Sequence, residues 1–347
     1  MQRYSSGPLP VVALAVSLFA AACSGSKTTP STPTTPTTPP PQEPTTPALT
    51  WSAAGQVVAT GTTQGVGGAT LTPGWSLAAV TADAQGNYLL GAIGNPPTTP
   101  YPVSVSAPGM LTHDVWIAWA RGQRSGVNLD LIRDAPPFSL AFYRQFARGV
   151  YDHAGDGAPF YLFHWTTAPS FYVKTTDQNG RAIEPEVLAR VYDAIRQAVP
   201  AYTGGHYSVA ALETGTDARD ERKDWINVNI RRDPNEKRVC GFARVGENPG
   251  SITLNDDVCS CGSNKIPGAL TMHEVGHAMG FWHVSDRGSL MYPIIAGDCP
   301  AGALSAAESY HAMIAYSRGN GNTDPDHDHP SSVALTGSAA RRVIVDR

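Results

Sequence analysis

The run His273-Glu274-Val275-Gly276-His277-Ala278-Met279-Gly280-Phe281-Trp282-His283 restricts what this chain can fold into more than any other feature. Residues four apart share one face of an α-helix, so His273 and His277 can offer two imidazoles to one metal ion, with Glu274 beside the first. Gly280 stands three residues after His277, where a glycine can take the left-handed conformation that ends a helix. The turn this predicts swings Phe281 and Trp282 past the metal and delivers His283 as a third ligand. Three protein nitrogens with a fourth position open to water describe a catalytic zinc site rather than a structural one. Zinc lowers the pKa of its bound water to about 7. Glu274 is placed to take the proton from that water and pass it to a leaving amine. A plain His-Glu-x-x-His turns up by chance now and then. The extended form with Gly280 and His283 is far harder to obtain by accident.

Downstream, Ser289-Leu290-Met291-Tyr292-Pro293 comes with a step of eight residues from His283 to Met291. Together with the histidine run this resembles the metzincin clan of metalloproteases, and the eight-residue step and the Met-Tyr-Pro run resemble the matrixins most closely. The resemblance spans roughly residues 165–318 and is specific from Met272 to Pro293. It implies a zincin-like α+β catalytic domain with His273, His277 and His283 on zinc, Glu274 as general base and Met291 beneath the site. It also implies polypeptide substrates, paired antiparallel with an edge strand above the zinc. Residues 251–256 are the counterpart of that strand, which makes Ile252 and Leu254 candidate substrate contacts, while Tyr292 and Pro293 would wall the pocket for the side chain after the cut. Two departures stand out. Val284 occupies the place where matrixins usually carry Ser, and no Pro-Arg-Cys-Gly segment of the kind that keeps them latent is present.

Around this motif, residues 134–323 read as a mixed α+β domain. Phe171, Val173 and Thr175 alternate as in a strand. Val187, Val191, Ile195 and Ala198 recur at helical spacing, with Pro185 in the first turn and Pro200 as the stop. Residues 225–230 and 251–256 are further strands, and Ser305 with Glu308 forms a capping box opening a helix through Tyr316. Ahead of it, residues 49–133 read as a small antiparallel β-sandwich: Val103 and Val105, Val115 and Ile117, and Leu129 and Leu131 alternate between turn signals such as Asp83-Ala84-Gln85-Gly86. The order of its turns resembles the carboxypeptidase regulatory-like domain, which implies a spacer or binding accessory. Trp51, Trp75 and Trp116 are read as core rather than as a ligand surface.

The first 48 residues are an address rather than a fold. Arg3, the short apolar run 11–22 and Ala20-Ala21-Ala22 before Cys23 resemble a bacterial lipoprotein signal, although Ala20 stands where Leu is usual; the alternative is an ordinary secretory signal. Either reading exports the chain. Residues 23–48 are then a lipidated cysteine and a Thr/Pro-rich stalk that holds the two domains away from a surface. Ser24 after Cys23 leans toward the outer membrane. The net charge of -4, without basic blocks, argues against nucleic acid as a partner. Expected partners are polypeptide substrates and, through the lipid, a membrane; a monomer is expected.

Cys240, Cys259, Cys261 and Cys299 in an exported domain suggest two disulfides, with Cys259 and Cys261 too close to pair with each other. A second zinc site built from these thiolates lacks the paired Cys-x-x-Cys spacing. Calcium is possible at Asp217-Ala218-Arg219-Asp220-Glu221 or Asn255-Asp256-Asp257, where solvated surface charge is the default. The tract Asp324, Asp326, His327, Asp328 and His329 is read as part of a solvated, flexible tail over residues 324–347. His153, His164, His206 and His311 are read as structural. The function expected is that of an exported zinc-dependent endopeptidase. The alternative is a surface binding or adhesion protein with a vestigial or highly selective protease domain, against which an intact Glu274 weighs.

Overall fold

The computed structural model describes residues 51–74, 77–92, 100–117, 122–154, 161–233, 235, 239–256, 260–261, 264–294, 302–329 and 343–346. The signal, Cys23, the stalk and Trp75 lie outside them. The chain divides into Met1–Thr46 and Pro47–Arg347. The described residues form a mixed α/β structure with several sheets and four helices.

Alternating apolar residues build the first half. Its strands are β1 (Trp51–Ala59), β2 (Thr70–Pro73), β3 (Val80–Thr81), β4 (Asn87–Ala92), β5 (Tyr101–Ser106), β6 (His113–Ile117), β7 (Gly122–Arg124) and β8 (Leu129–Leu131). One sheet sets β1 between β4 and the β7 and β8 strands, and the other runs β3-β2-β5-β6. Tyr101, Val103 and Val105 of β5 bury one face together with Leu71, Leu90, Val115, Ile117, Leu129 and Leu131. The sequence predicts strict antiparallel pairing, but β7 and β8 run parallel to β1, pairing with its first and last residues. Nine residues make β1 long enough to accept two short strands in succession on one edge. Trp51 is core as expected, whereas Trp116 is exposed and donates its indole N–H to the Asp328 carbonyl at 3.0 Å.

The second half comprises α1 (Leu140–Phe146), β9 (Ser170–Lys174), α2 (Pro185–Tyr202), β10 (Ala211–Gly215), β11 (Trp225–Arg231), β12 (Gly241–Arg244), β13 (Gly250–Asn255), the hairpin β14 (Ser260–Cys261) and β15 (Asn264–Lys265), α3 (Gly268–Ala278), α4 (Ala306–Tyr316) and β16 (Val343–Asp346). Its sheet has the order β10-β9-β11-β13-β12-β16. Strands β9, β10, β11 and β13 are parallel, with α2 supplying the crossover that parallel neighbours β9 and β10 require. Strand β12 is antiparallel to β13, and β16 is antiparallel to β12.

Three further expectations are corrected in this half of the chain. Helix α2 does not stop at Pro200 but runs to Tyr202, with Pro200 inside it. The imide costs one hydrogen bond in the last turn, and Tyr202, fully buried, holds that turn against the core. Residues 251–256 are not an edge strand: β13 is paired by β11 on one side and β12 on the other, and Ile252 and Leu254 are core side chains. Alternation of Ile252 and Leu254 with the half-buried Ser251 and Thr253 marks one buried face; it carries no information on whether a neighbouring strand lies on each edge.

The third correction concerns the tract from Asp324. The buried Arg318 guanidinium donates to Asp326 at 2.6 and 2.8 Å, to Asp130 at 2.7 Å and to Thr60 Oγ1 at 3.3 Å. His113 contacts Asp328 at 3.2 Å, His327 contacts Asp114 at 2.6 Å, and Asn322 donates to both Asp326 and Asp328 at 3.0 Å. A guanidinium taken out of water must be paired, so residues 318–328 are tied to β6, β8 and the end of β1. The expected halves on either side of residue 133 therefore lie within one compact unit. The last described segment is likewise a strand, β16, rather than solvated tail.

Candidate metal centre

Helix α3 is buried along almost its whole length, and its glycines explain how. A Cβ at Gly276 would lie 2.6 Å from the Tyr202 hydroxyl and 2.7 Å from Met291 Sδ, so the bare backbone there admits both under the helix. Tyr202 donates its hydroxyl to Met291 Sδ at 3.0 Å, and burial raises its pKa well above the usual value. The helix ends as the sequence predicts. Phe281 N–H donates to Gly276 O at 3.0 Å and Gly280 N–H to His277 O at 2.8 Å, the paired bonds of a Schellman turn. Gly280 has φ +109°, and a Cβ there would sit 2.1 Å from Phe163 O. No other residue type fits.

The turn carries His283 back to the helix. The donor atoms of His273, His277 and His283 lie within 4.8 Å of one another, all three residues being buried. Among the described residues no other group of three such donors gathers. Each ring is held from behind by its Nδ1. His273 Nδ1 meets Leu290 O at 2.6 Å, His277 Nδ1 meets Phe281 O at 2.8 Å, and His283 Nδ1 meets Asp152 Oδ1 at 2.8 Å. A carbonyl or carboxylate can only accept, so each Nδ1 carries the proton and each Nε2 presents a lone pair. Yet Nε2 of His273 and Nε2 of His277 stand 3.1 Å apart. Two lone pairs facing each other at that distance repel unless a cation lies between them. Two nitrogens bound to one tetrahedral zinc are separated by about 3.3 Å, so the residues present fit that ion.

Glu274 is buried on the same helix, against the start of β12. A Cβ at Gly241 would meet its Oε1 at 2.2 Å, so Gly241 leaves the room the carboxylate occupies. Met291 is fully buried, with its Sδ against Gly276 and the Tyr202 hydroxyl. Its turn is fixed by Glu308, whose Oε1 accepts Met291 N–H at 2.9 Å and the Ser289 hydroxyl, while Oε2 accepts Ser305 N–H at 2.7 Å. The expected capping box of α4 is present, and the same carboxylate sets the methionine turn. Tyr292 closes that turn through its N–H to Ser289 O at 3.2 Å; it and Pro293 are half-buried beside it.

Two contributors escape the sequence reading. Asp152, 131 residues before His283, receives both its Nδ1 and, at 3.0 Å, its backbone N–H; no spacing rule connects them. Glu308 is legible in sequence only as a cap. His164 and His311 are structural as expected: both rings bond backbone groups, and burial lowers both pKa values. Cys240 is buried and disulfide-bonded; the side chains of Cys259, Cys261 and Cys299 lie outside the described residues.

Residues 219–308 match the matrixin family model, Peptidase_M10. The matched matrixin segment takes in all three histidines, Glu274, Gly280, Met291 and Glu308, and supports a matrixin-like metallopeptidase. Comparison with curated proteins gives no match. Among solved structures, two mutant type II cohesin–X-dockerin complexes from Acetivibrio cellulolyticus, altered at the N-terminal and C-terminal interfaces, are 14% identical with TM-scores of 0.19. They cover 24% and 23% of this chain, which spans 57% and 56% of theirs. Likeness at that level says nothing about this chain.

Proposed function

We propose that this chain is an exported, zinc-dependent endopeptidase of the metzincin type. The observation that carries the reading is the convergence of three imidazole Nε2 atoms whose Nδ1 atoms are all committed to acceptors. His273, His277 and His283 hold the ion. Zinc bound there supplies a Lewis acid that makes water a nucleophile near neutral pH. Glu274 takes the proton from the attacking water and hands it to the leaving amine nitrogen. Burial of the site excludes bulk water and strengthens that exchange. Polypeptide is the substrate class, with the main chain of an extended segment recognised along β12, the strand that abuts Glu274 through Gly241.

In this reading the apolar run and Cys23 export the chain and attach it to a membrane through lipid, the stalk sets the Pro47–Arg347 unit off the surface, and the protein acts as a monomer. Among the described residues no helix is long and apolar enough to cross a membrane. The test is cleavage of an unfolded protein by the zinc-loaded full chain against Glu274→Ala at equal zinc content. Cleavage by the parent alone supports the reading. Zinc bound by both with cleavage by neither refutes it.

A further inference from the structure

Strand β12 has two edges. One is bonded to β13, and the other is bonded to β16, antiparallel, with Gly241 opposite Asp346, Phe242 opposite Val345, Ala243 opposite Ile344 and Arg244 opposite Val343. The Asp346 end of β16 thus faces Gly241, the residue with no room for a Cβ because the Glu274 carboxylate fills that space. A chain extended along this edge runs directly past the general base. Main-chain groups on a sheet edge accept any extended partner, and one edge accepts one partner at a time.

We propose that Val343–Asp346 is a built-in competitor: β16 occupies the backbone groups of β12 that an extended polypeptide substrate needs, and must leave before substrate can bind. The inference rests on the endopeptidase reading for the meaning of that edge. The segment suits the role. Val343, Ile344 and Val345 are β-branched and favour extended backbone. A strand of four residues makes few bonds, so it can be displaced by a longer substrate. Its attachment to the same chain keeps it at high effective concentration near the edge. The device would make the chain selective for substrates that pair over more than four residues or that bind side-chain pockets as well.

The test uses the full chain with Ile344→Pro and Val345→Pro together, since adjacent prolines remove donors from whichever residue faces β12. Three readouts are compared with the parent. Amide hydrogen exchange at Gly241–Arg244 is expected to speed up severalfold. A fluorescent extended peptide, measured by anisotropy on zinc-loaded protein in a Glu274→Ala background, is expected to bind at least threefold tighter. In the active chain KM is expected to fall by a similar factor with kcat unchanged, as for release of a competitor. A synthetic peptide of residues 339–347, added to the proline variant, is expected to displace the fluorescent peptide. Unchanged exchange at β12, unchanged peptide affinity, or failure of the added segment to compete would each overturn the proposal. Exchange and binding are read without catalysis, so a chain that cleaves nothing fails the endopeptidase reading and still answers this one.

Discussion

Asp152 is the sharpest point at which to test the geometry of the centre. Of the three acceptors behind the ligand rings, two are backbone carbonyls, and only Asp152 can be changed by substitution. Its carboxylate receives His283 twice, at Nδ1 over 2.8 Å and at the backbone N–H over 3.0 Å, and its side chain is only 15% exposed. In Asp152→Asn the size is kept, one acceptor oxygen becomes a donor, and the charge that strengthens the Nδ1 bond is lost. Loss of a partner of this kind weakens metal affinity by about 10–100-fold, equivalent to about 1.4–2.7 kcal/mol. The zinc dissociation constant, read by competition with a chelating chromophore at pH 7, should rise by that factor in Asp152→Asn, while the metal-free chain melts within a few degrees of the parent. Asp152→Glu should recover part of the loss. A zinc affinity within twofold of the parent in Asp152→Asn would show that the carboxylate only clamps a loop, and the reasoning about ring orientation would be wrong.

Neighbouring contacts lead to further outcomes. Gly280→Ala places a Cβ 2.1 Å from Phe163 O at φ +109°, and should destabilise the chain by about 3 kcal/mol or more in denaturant unfolding; a change under about 1 kcal/mol would contradict the turn described. Glu308→Ala strands the N–H groups of Met291 and Ser305 and the Ser289 hydroxyl, at about 1–3 kcal/mol for each buried donor left unmade. It should also weaken zinc binding, because Leu290 O, the partner of His273, lies in the same turn. Arg144 donates to Asp324 over 2.5 Å and holds its carboxyl below the usual value, against a smaller opposing effect of burial. A depressed carboxylate stabilises fully above its unfolded pKa of about 3.9 and progressively less as pH falls through the folded value. With Arg144 41% exposed, the stability gap between parent and Asp324→Asn should be roughly 0.5–1 kcal/mol at pH 6 and should shrink progressively as pH falls from about 4 through the lowered folded value; a gap of undiminished size at about pH 2 would rule the pair out as its source.

How far the sequence carries is clearest at particular residues. The three-histidine cluster and the carboxylate proposed as base are readable because four-residue and six-residue spacings translate into position through local geometry alone: a helix places His277 over His273, and a glycine with positive φ returns His283. The capping box at Ser305 and Glu308, the alternation of β5, β6 and β11, and the helical face of α2 are likewise local rules. Reading fails where the partner is distant in sequence. Residues 251–256 show strand alternation, but whether a strand is an edge depends on what lies beside it, and β12 covers it. The acidic tract from Asp324 looks solvated until the buried Arg318, just past the end of α4, and the distant His113 and Asp130 of β6 and β8 are set around it.

The sequence by itself therefore determined the groups from which the proposed chemistry is built: three imidazoles, one carboxylate and the turn at Met291, all within 19 residues of chain. Tertiary structure alone decided what holds and surrounds that chemistry. Asp152 behind His283, Glu308 beneath the turn, Gly241 against Glu274 and β16 on the edge of β12 are meetings of residues far apart in sequence. These contacts form only once burial of the apolar faces has brought the segments together, and no local spacing records them.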